Sequence, residues 1–438
     1  MKGWTLLVVA CLSGSLAGSL IGCSDPAPNP DKPSAPDSND PAFTATGLAG
    51  WYLIGNAATP GQDEIKIVVT APGGTDFVDA YVGDLPVVRM DKQSDGFALD
   101  VSIANVPAGT YDILFSANGS KTAFAKATWN RSAPYYVMVS TDYDFSEPGD
   151  NSTSFMDMLH MAHPGLVITH FWAPYTYTDP AVTEDRRAAL TTWLLSSRDT
   201  YGDEIGLHIH PYCNFVADAG LTCITDQSTV YPAGDTSGYT IRLNAYDRPS
   251  ANTLFQHARD LFVARGLGAP ATFRAGGWTA DITTLQALGD QGFIADSSAL
   301  NWARIAQWKG YALYDWNMEH WAPIDDTSQP YYPSESDITT STPGNDMGLL
   351  EVPVNGVMMD YLSLDDVTLL FNENWDGTPL ISPHVLMSGF HPSTNLPPKD
   401  KIHMTDLLNL ADAHLASAGT GPVVYITLSA LTPVFPAQ

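Results

Sequence analysis

The chain has 438 residues, and 20 Lys and Arg stand against 48 Asp and Glu, which gives a formal net charge of −28 at pH 7. Acidity of this size argues against a nucleic-acid partner, because phosphate backbones need basic patches. It favours solubility and repels anionic surfaces. The length indicates two domains rather than one.

The N-terminus predicts export. A charged start at Met1–Lys2 is followed by an apolar run and by Leu20–Cys23, which is the pattern of a secretory signal peptide over residues 1–22. The Leu-Ile-Gly-Cys ending resembles the bacterial lipobox, which implies that Cys23 is lipidated. The alternative is an ordinary signal peptide with a chance cysteine. We therefore expect a protein at the bacterial cell envelope or surface, anchored to the membrane by lipid only.

The next segments predict a spacer and a small β domain. Residues 23–43 are proline-rich and nearly free of large apolar side chains, so we expect a semi-rigid linker. Residues 44–132 contain short alternating runs separated by Gly and Pro turns, which predicts an all-β sandwich of the Ig/FN3-like kind. Its role is a spacer or packing partner, with carbohydrate binding as the alternative. The predicted strands are Glu64–Val69, Phe77–Val82, Phe97–Ile103 and Tyr111–Phe115.

Strands alternate with helices over residues 133–438, which predicts parallel pairing in a barrel or an open sheet. Polar residues gather where these strands end, the position at which barrel enzymes carry their chemistry. The predicted strands are Tyr135–Ser140, Leu166–Phe171, Glu204–His210, Ala271–Arg274, Phe293–Asp296, Leu349–Val354, Val385–Phe390 and Val423–Leu428. The predicted helices are Thr183–Ser197, Ser250–Arg265, Ile282–Gln291 and residues 400–417.

Two long insertions, residues 212–245 and 300–348, interrupt this pattern, and loops of that length are more often functional than idle. The aromatic residues of these insertions could stack on sugar rings or simply anchor the loops by packing, and the sequence does not favour either alternative. The candidates for substrate binding are Tyr212, Trp278, Trp302 and Trp316. Once Cys11 is removed and Cys23 lipidated, Cys213 and Cys223 remain, and in an exported chain they predict a disulfide rather than a zinc site.

His208 and His210 stand at i and i+2 in a predicted strand, so both side chains face one side and can reach one metal ion. With Asp144 they form a candidate set of metal ligands. Asp142 faces the same side if the strand continues, and it is a candidate general base. His391, which follows a late strand, is the candidate acid. A ligand role for His170, within the second strand, is a weaker alternative.

Four segments occur in the order of the motifs of the polysaccharide deacetylases (the NodB-homology family, carbohydrate esterase family 4), which the sequence therefore resembles. They are Ser140–Asp144, Glu204–His210, Phe273–Trp278 and Phe390–His391. The resemblance covers residues 135–435. It implies a distorted (β/α) barrel and removal of N- or O-acetyl groups with zinc or a similar ion. It also implies that Asp142 is the base and His391 the acid, that Arg274 orients Asp142, and that Asp296 fixes Arg274.

The sequence departs from the family pattern at three positions. Tyr143 separates two aspartates that are usually adjacent. Tyr212 stands where the second metal histidine usually lies, so His210 must substitute for it. Gly276 occupies the usual position of a proline in the arginine motif. These departures indicate a divergent member.

We therefore expect a metal-dependent hydrolase that removes acetyl groups from a polysaccharide outside the cytoplasm. Its cofactor is a divalent metal, zinc first, with cobalt or nickel as alternatives. Two other functions stay open: a catalytically inactive surface carbohydrate-binding protein on the same fold, and a hydrolase of a non-sugar amide or ester. A purely structural envelope protein is a further alternative.

Overall fold

The computed structural model describes residues 32–229, 236–392 and 396–437. The predicted signal peptide and Cys23 lie outside these residues. Within them, two separate apolar cores exist, one between the sheets of an N-terminal sandwich and one in and around a parallel sheet. No helix of the described ranges is both long and apolar enough to cross a membrane.

The N-terminal part is a sandwich of two sheets, as predicted. One sheet has the order β1-β3-β7-β6 and the other β2-β9-β8-β4-β5, and all pairs are antiparallel except β2 with β9. Alternate residues of facing strands, such as Ile65 and Ile67 on β3 and Ile113 and Phe115 on β8, are buried between the sheets. The strands are β1 Ala45–Thr46, β2 Trp51–Leu53, β3 Glu64–Val69, β4 Val78–Val82, β5 Val88–Arg89, β6 Asp91–Lys92, β7 Phe97–Ser102, β8 Gly109–Ala117 and β9 Ala125–Ser132.

The described part of the proline-rich segment does not extend freely, so the prediction of a spacer is wrong from residue 32 onward. The Ser34 N–H donates to the Lys121 carbonyl at 2.9 Å, and the Asp40 N–H donates to that of Phe124 at 2.8 Å. Phe43 packs on the ring of Phe115 at 5.4 Å. Because its backbone groups find partners on the sandwich, the segment becomes part of that domain.

The second part is built on parallel strands, in the order β15-β14-β13-β12-β11-β10-β16, with β17 paired to the start of β10. The central strands β10 and β11 are buried at every position, as expected when both faces of a parallel sheet are covered. The strands are β10 Tyr135–Asp142, β11 Ile168–Trp172, β12 Glu204–Ile209, β13 Thr272–Ala275, β14 Ala295–Asp296, β15 Leu350–Glu351, β16 His384–Phe390 and β17 Val423–Tyr425.

The chain after β15 closes the sheet into a distorted barrel. Val354 forms a parallel bridge with Leu300, and Met358 forms one with Gly389 of β16. Between them the Gly356 N–H donates to the Met387 carbonyl at 2.8 Å. The expectation of an α/β barrel preceded by an all-β domain is confirmed.

Helices surround the sheet, and their ends carry the side chains that cap helices. Thr183, Asp247 and Asp281 each accept a backbone N–H at a helix start, and Ser363 forms a capping box with Asp366. The helices are α1 Asp150–Ala162, α2 Glu184–Tyr201, α3 Cys213–Asp218, α4 Arg248–Ala264, α5 Ile282–Asp290, α6 Ala312–Trp321, α7 Leu364–Asn374, α8 Pro398–Asp412 and α9 Leu428–Leu431.

The sandwich packs on the end of the barrel where the strands begin. Thr59 and Asn56 of the sandwich contact the hydroxyl of Tyr136, near the start of β10, and Trp51 packs edge-on against Trp375. Asp142 ends the same strand six residues later, about 20 Å away at the rise of a β-strand. The sandwich therefore lies opposite the end at which the candidate site residues were predicted.

Candidate functional site

Parallel pairing brings the predicted site residues to one edge of the sheet. Asp142 is the last residue of β10, and Asp144 follows two residues later. His208 pairs in register with Arg274 on the neighbouring strand. His391 comes directly after β16, which pairs with β10 on its other side. Because the carboxyl ends of parallel strands meet, residues distant in sequence converge there.

Asp144, His208 and His210 form the predicted cluster of metal-binding side chains. The Nε2 atoms of His208 and His210 lie 3.2 and 3.3 Å from Asp144 Oδ1. One atom from each residue lies within 4.8 Å of the others, so a single ion could contact all three. His208 and His210 thus face the same side, as their i, i+2 spacing predicts.

Hydrogen bonds on the far side of each imidazole fix its orientation. His208 Nδ1 lies 3.0 Å from the Arg274 carbonyl, and His210 Nδ1 lies 2.8 Å from that of Tyr239. A carbonyl only accepts, so each Nδ1 carries a proton and each Nε2 presents its lone pair toward Asp144. The Tyr239 hydroxyl donates to Asp144 Oδ2 at 2.9 Å, which leaves Oδ1 facing the histidines. This is how metal-binding histidines are held in proteins.

Arg274 holds Asp142 by a buried ion pair. Arg274 Nη1 donates to Asp142 Oδ1 at 2.6 Å and to Ser140 Oγ at 2.9 Å. Its other nitrogens donate to the carbonyl and hydroxyl of Ser297, and the guanidinium lies over the ring of Phe171 at 4.3 Å. Arg274 is 0% and Asp142 1% exposed. Asp142 Oδ2 is buried and has no hydrogen-bond partner among the described residues, so one oxygen stays available to a ligand.

His391 is oriented by Asp360, a residue that the sequence analysis did not identify. His391 Nδ1 lies 3.2 and 3.1 Å from the two oxygens of Asp360. The ring of Trp278 packs edge-on against the imidazole at 5.8 Å. Asp360 lies in a single 3₁₀ turn, Met359–Tyr361, before α7, where no periodicity or motif marks it as a partner of His391.

The charges of the site shift its pKa values in opposite directions. Burial by itself lowers the pKa of His391, but the carboxylates of Asp360, Asp144 and Asp142 outweigh burial and raise this pKa to about 10. Burial raises the pKa of Asp144, yet the positive charge of His391 and the two imidazoles beside the carboxylate bring it well below its usual value. Burial lowers the pKa of His208. His391 is therefore a cation at neutral pH, and His208 is neutral.

Asp296 does not have the role predicted for it, because it forms no hydrogen bond with Arg274 in the described chain. Its oxygens accept from the hydroxyl and N–H of Ser298, and it faces Glu351 on β15. Ser297, the residue between, contacts the guanidinium instead. Neighbouring residues of a strand point to opposite sides, so only one of Asp296 and Ser297 can face Arg274, and here it is Ser297.

His170 is also excluded as a ligand by its contacts. Its Nε2 lies 3.0 Å from Asp203 Oδ2, and its Nδ1 lies 2.9 Å from Thr141 Oγ1 and 3.2 Å from the Tyr143 hydroxyl. The side chain of Tyr143, which separates the two aspartates, thus points away from the metal cluster into the core.

A cavity of about 190 Å³ lies over the cluster. Its walls come from both insertions and from the turn after β13. Beyond the five site residues Asp142, Asp144, His208, His210 and His391, the lining residues are Thr229, Tyr239, Thr240, Ile241, Gly276, Gly277, Trp278, Thr279, Trp308, Leu313 and Tyr361.

Of the four predicted substrate-binding residues, Trp278 lines this cavity. Tyr212 supports the site from outside, since its hydroxyl donates to the Asp144 carbonyl at 3.3 Å. Trp302 is buried and packs against Trp278, and Trp316 stacks on His320 at 3.9 Å. The predictions for Trp302 and Trp316 are corrected, because their aromatic faces are used in packing. Trp308 of the same insertion reaches the cavity.

The predicted disulfide between Cys213 and Cys223 is present, with a Cα–Cα distance of 5.1 Å. It follows the histidine strand at the rim of the site. The Cys213 N–H donates to the Ser237 carbonyl at 2.7 Å, which ties the disulfide to the loop that carries Tyr239.

The residues present fit a divalent metal of the zinc type. Two imidazole nitrogens and one carboxylate oxygen are ligands that zinc prefers, and three protein ligands leave a position open for chemistry. The unpartnered Oδ2 of Asp142 borders the same cavity. This oxygen is therefore placed where a ligand in the cavity could supply the hydrogen bond that it lacks.

Comparisons with known proteins give distant structural matches. No family model and no curated protein sequence matches the chain. The chain is similar to a family 4 carbohydrate esterase from Streptomyces lividans, solved with acetate, at 11% identity and a TM-score of 0.35 over 70% of this chain and 99% of that one. It is similar to a peptidoglycan deacetylase from Bacillus subtilis at 11% identity and a TM-score of 0.34, over 68% and 90%.

A third match is a family 4 acetyl xylan esterase from Clostridium thermocellum in complex with a cobalt ion. The identity is 12% and the TM-score 0.33, over 69% of this chain and 94% of that one. The descriptions of the two esterases, from Streptomyces lividans and Clostridium thermocellum, name the family whose motifs the sequence resembles.

Proposed function

We propose that this protein is a metal-dependent hydrolase that removes acetyl groups from a saccharide. One observation carries the proposal: Asp144, His208 and His210 converge on one point in a cavity that Asp142 and His391 also line. A ligand cluster, a base held by a buried arginine and a charged histidine are the parts that metal-assisted acyl hydrolysis needs.

An ion held by Asp144, His208 and His210 would polarise the acyl carbonyl and lower the pKa of an attacking water toward about 7. Neighbouring backbone and side-chain groups keep the three ligands in position to hold such an ion. The carbonyls of Arg274 and Tyr239 hold the two imidazoles, and the Tyr239 hydroxyl holds the carboxylate.

Asp142 is the proposed general base. Its Oδ1 is occupied by Arg274, so the carboxylate cannot rotate freely, and its Oδ2 is free to accept a proton from water. The guanidinium also offsets part of the cost of burying the carboxylate, because it places a paired positive charge beside it.

His391 is the proposed general acid. Its imidazole is protonated at neutral pH because the surrounding carboxylates raise its pKa to about 10, in spite of burial, which by itself lowers that pKa. Asp360 occupies Nδ1, so Nε2 is the atom that can donate a proton to the departing amine or alcohol. Transfer of a proton by such a group typically accelerates a reaction roughly 10²–10⁴-fold.

The setting of the reaction is part of the proposal. The signal sequence and Cys23 support a lipid-anchored protein exported to the bacterial cell envelope. An acetylated polysaccharide is the proposed source of substrate, and zinc is the proposed metal, with cobalt and nickel as alternatives.

Release of acetate from acetylated chito- and xylo-oligosaccharides tests the proposal. The purified protein is first depleted of metal with a chelator and then given zinc, cobalt or nickel. We expect acetate release only after a metal is returned, and we expect Asp142→Asn to abolish release while the protein keeps its fold by circular dichroism. The matched control is Asp157→Asn on α1, which lies outside the site.

Glycan binding without acetate release at any metal would contradict the proposal and favour the inactive carbohydrate-binding protein. Turnover of small non-sugar amides or esters in preference to every saccharide would favour a hydrolase of non-sugar substrates.

A further inference from the structure

The second insertion contributes to the walls of the cavity above the candidate site. Trp308 and Leu313, both within residues 300–348, line the cavity on one side. Thr229, Tyr239 and Ile241 of the first insertion line it as well, and Tyr361 adds to the wall beside His391. Side chains from several separate segments of the chain thus bound the cavity.

Helix α6 of this insertion also stabilises a strained turn, Gly277–Trp278, at the cavity wall. Gly277 and Trp278 both have left-handed backbone, with φ of +60° and +55°. For a tryptophan this conformation is strained, so it persists only when neighbours hold it. Asn317 donates to the Gly277 carbonyl at 3.0 Å, and Trp321 donates to that of Trp278 at 3.2 Å, both from α6. The strain places the indole against the imidazole of His391.

The size of the cavity limits its ligand. At about 190 Å³ it is smaller than the roughly 300–1,000 Å³ of clefts that hold drug-sized ligands. An internal unit of a polymer would also need open space on two sides for the neighbouring units, and side chains of both insertions stand around the cluster.

The chemistry of the walls selects a neutral ligand. Among the described residues, no Lys or Arg lines the cavity, so an anionic sugar would find no partner beyond the site itself. The wall offers aromatic and aliphatic faces and a few hydroxyls. The indole N–H of Trp278 is buried and has no hydrogen-bond partner in the described ranges, and a ligand oxygen could supply the acceptor that it lacks.

We propose that the cavity accepts one neutral acylated sugar at the end of a chain, and that the protein removes acyl groups from terminal units rather than along a polysaccharide. This inference rests on the proposed function. The acyl group enters toward Asp144 and His208, and the sugar ring packs against Trp278 and Trp308.

Acetate release from acetylated oligosaccharides, from monomer to hexamer, tests the inference with the full metal-loaded protein. Mass spectrometry of end-labelled products locates the unit that loses its acetyl group. We expect loss from one terminal unit only, with kcat/KM unchanged beyond the dimer. Loss from internal units, or kcat/KM that rises with each added unit, would overturn it.

A variant of the wall gives a second readout. We expect Trp308→Ala, and separately Leu313→Ala, to open the cavity and to allow release from internal units. Lys309→Ala, an exposed neighbour of Trp308, should retain the terminal-only pattern. Failure of the proposed function gives a different result, since no substrate, including the activated ester 4-nitrophenyl acetate, would then release acetate, and this would overturn both proposals. Internal release overturns the terminal-unit inference alone.

Discussion

Gly276 lies directly against the imidazole of His210. A Cβ at Gly276 would lie 2.6 Å from His210 Cγ and 2.7 Å from Cδ2 and Nδ1. Nonbonded carbon atoms prefer separations of about 3.5–4.0 Å, so no larger residue fits while His210 keeps its place. The hydrogen side chain at position 276 is therefore a condition for His210 to reach Asp144.

This contact links two departures from the family pattern. The family usually has proline at the position of Gly276 and a metal histidine at that of Tyr212. We propose that His210 takes the place of that histidine in this chain, and its imidazole occupies the space that a proline at position 276 would fill. The Tyr212 side chain packs beside the site and donates to the Asp144 carbonyl.

Substitution of Gly276 by Ala should weaken metal binding. The added methyl group displaces the imidazole of His210, and loss of a positioned ligand geometry typically costs roughly 10–100-fold in affinity or activity. Isothermal titration with zinc measures the effect. Gly289→Ala in α5 is the matched control, because its Cβ would meet only the Met347 carbonyl at 3.9 Å. Equal affinity in both variants would refute the role of Gly276.

Replacement of Arg274 by Lys should slow the reaction without loss of metal. Lysine keeps a positive charge but loses the planar fork that contacts Asp142, Ser140 and Ser297 together. We expect kcat to fall roughly 10–100-fold, as for other residues that orient a site. Metal content and kcat are measured on the same sample. Arg259→Lys on α4 serves as the control, and an unchanged kcat in Arg274→Lys would count against the role of Asp142 as the base.

Loss of Asp360 should shift the alkaline limb of the pH profile. Burial lowers the pKa of His391, and Asp360 is the largest of the charges that raise it to about 10. An acid must be protonated to act, so activity is present below this pKa and is lost as pH rises through it. In Asp360→Asn the pKa falls, and the alkaline limb of kcat against pH should move to lower pH. Asp365→Asn, an exposed charge on α7, should leave the limb in place. A limb that does not move in Asp360→Asn would exclude His391 as the acid.

Asp296 and Glu351 should make stability depend on pH. Burial raises the pKa of Asp296 to about 6, and burial with the charge of Asp296 raises that of Glu351 well above its usual value. The folded chain therefore keeps protons that the unfolded chain releases near pH 4, and stability falls as pH rises from about 4 through 6.

The Glu351→Gln variant tests this relationship. Its amide can accept from the Ala299 N–H, as Glu351 does at 2.9 Å, and can donate to Asp296. We expect the free energy of unfolding in urea to vary less between about pH 4 and about pH 7 than in the unaltered protein. Glu319→Gln, an exposed change on α6, should leave the variation as it was. If the free energy of unfolding of Glu351→Gln varied with pH as much as that of the unaltered protein, the Asp296–Glu351 pair would not be the cause of the pH dependence.

Much of the site could be predicted because its residues follow strands. The period-2 pattern at Glu204–His210 placed both histidines on one side, and the ends of parallel strands placed Asp144 and His391 near them. The candidate site could thus be predicted because the ends of strands such as β10 and β16 are recognisable in the sequence.

The residues that were missed lie in segments without such a pattern. Asp360 lies in a short 3₁₀ turn and Tyr239 in a loop, and their contacts with His391 and Asp144 span 31 and 95 residues. The sequence pattern does not predict α6, because its aromatic residues do not form one apolar stripe, and it does not predict α1 or α7 either. The choice of Ser297 over Asp296 depends on the direction of one short strand, which the sequence alone does not determine.

The central claim is that Asp144, His208 and His210 bind a divalent metal ion. The most direct test is the metal content of the purified protein after incubation with zinc and removal of free ions, measured by inductively coupled plasma mass spectrometry. The account predicts about one ion per chain, lost in His208→Ala and in His210→Ala but kept in His257→Ala, whose histidine pairs with Asp218 on the surface. Absence of bound zinc, cobalt and nickel from the unaltered protein would contradict it.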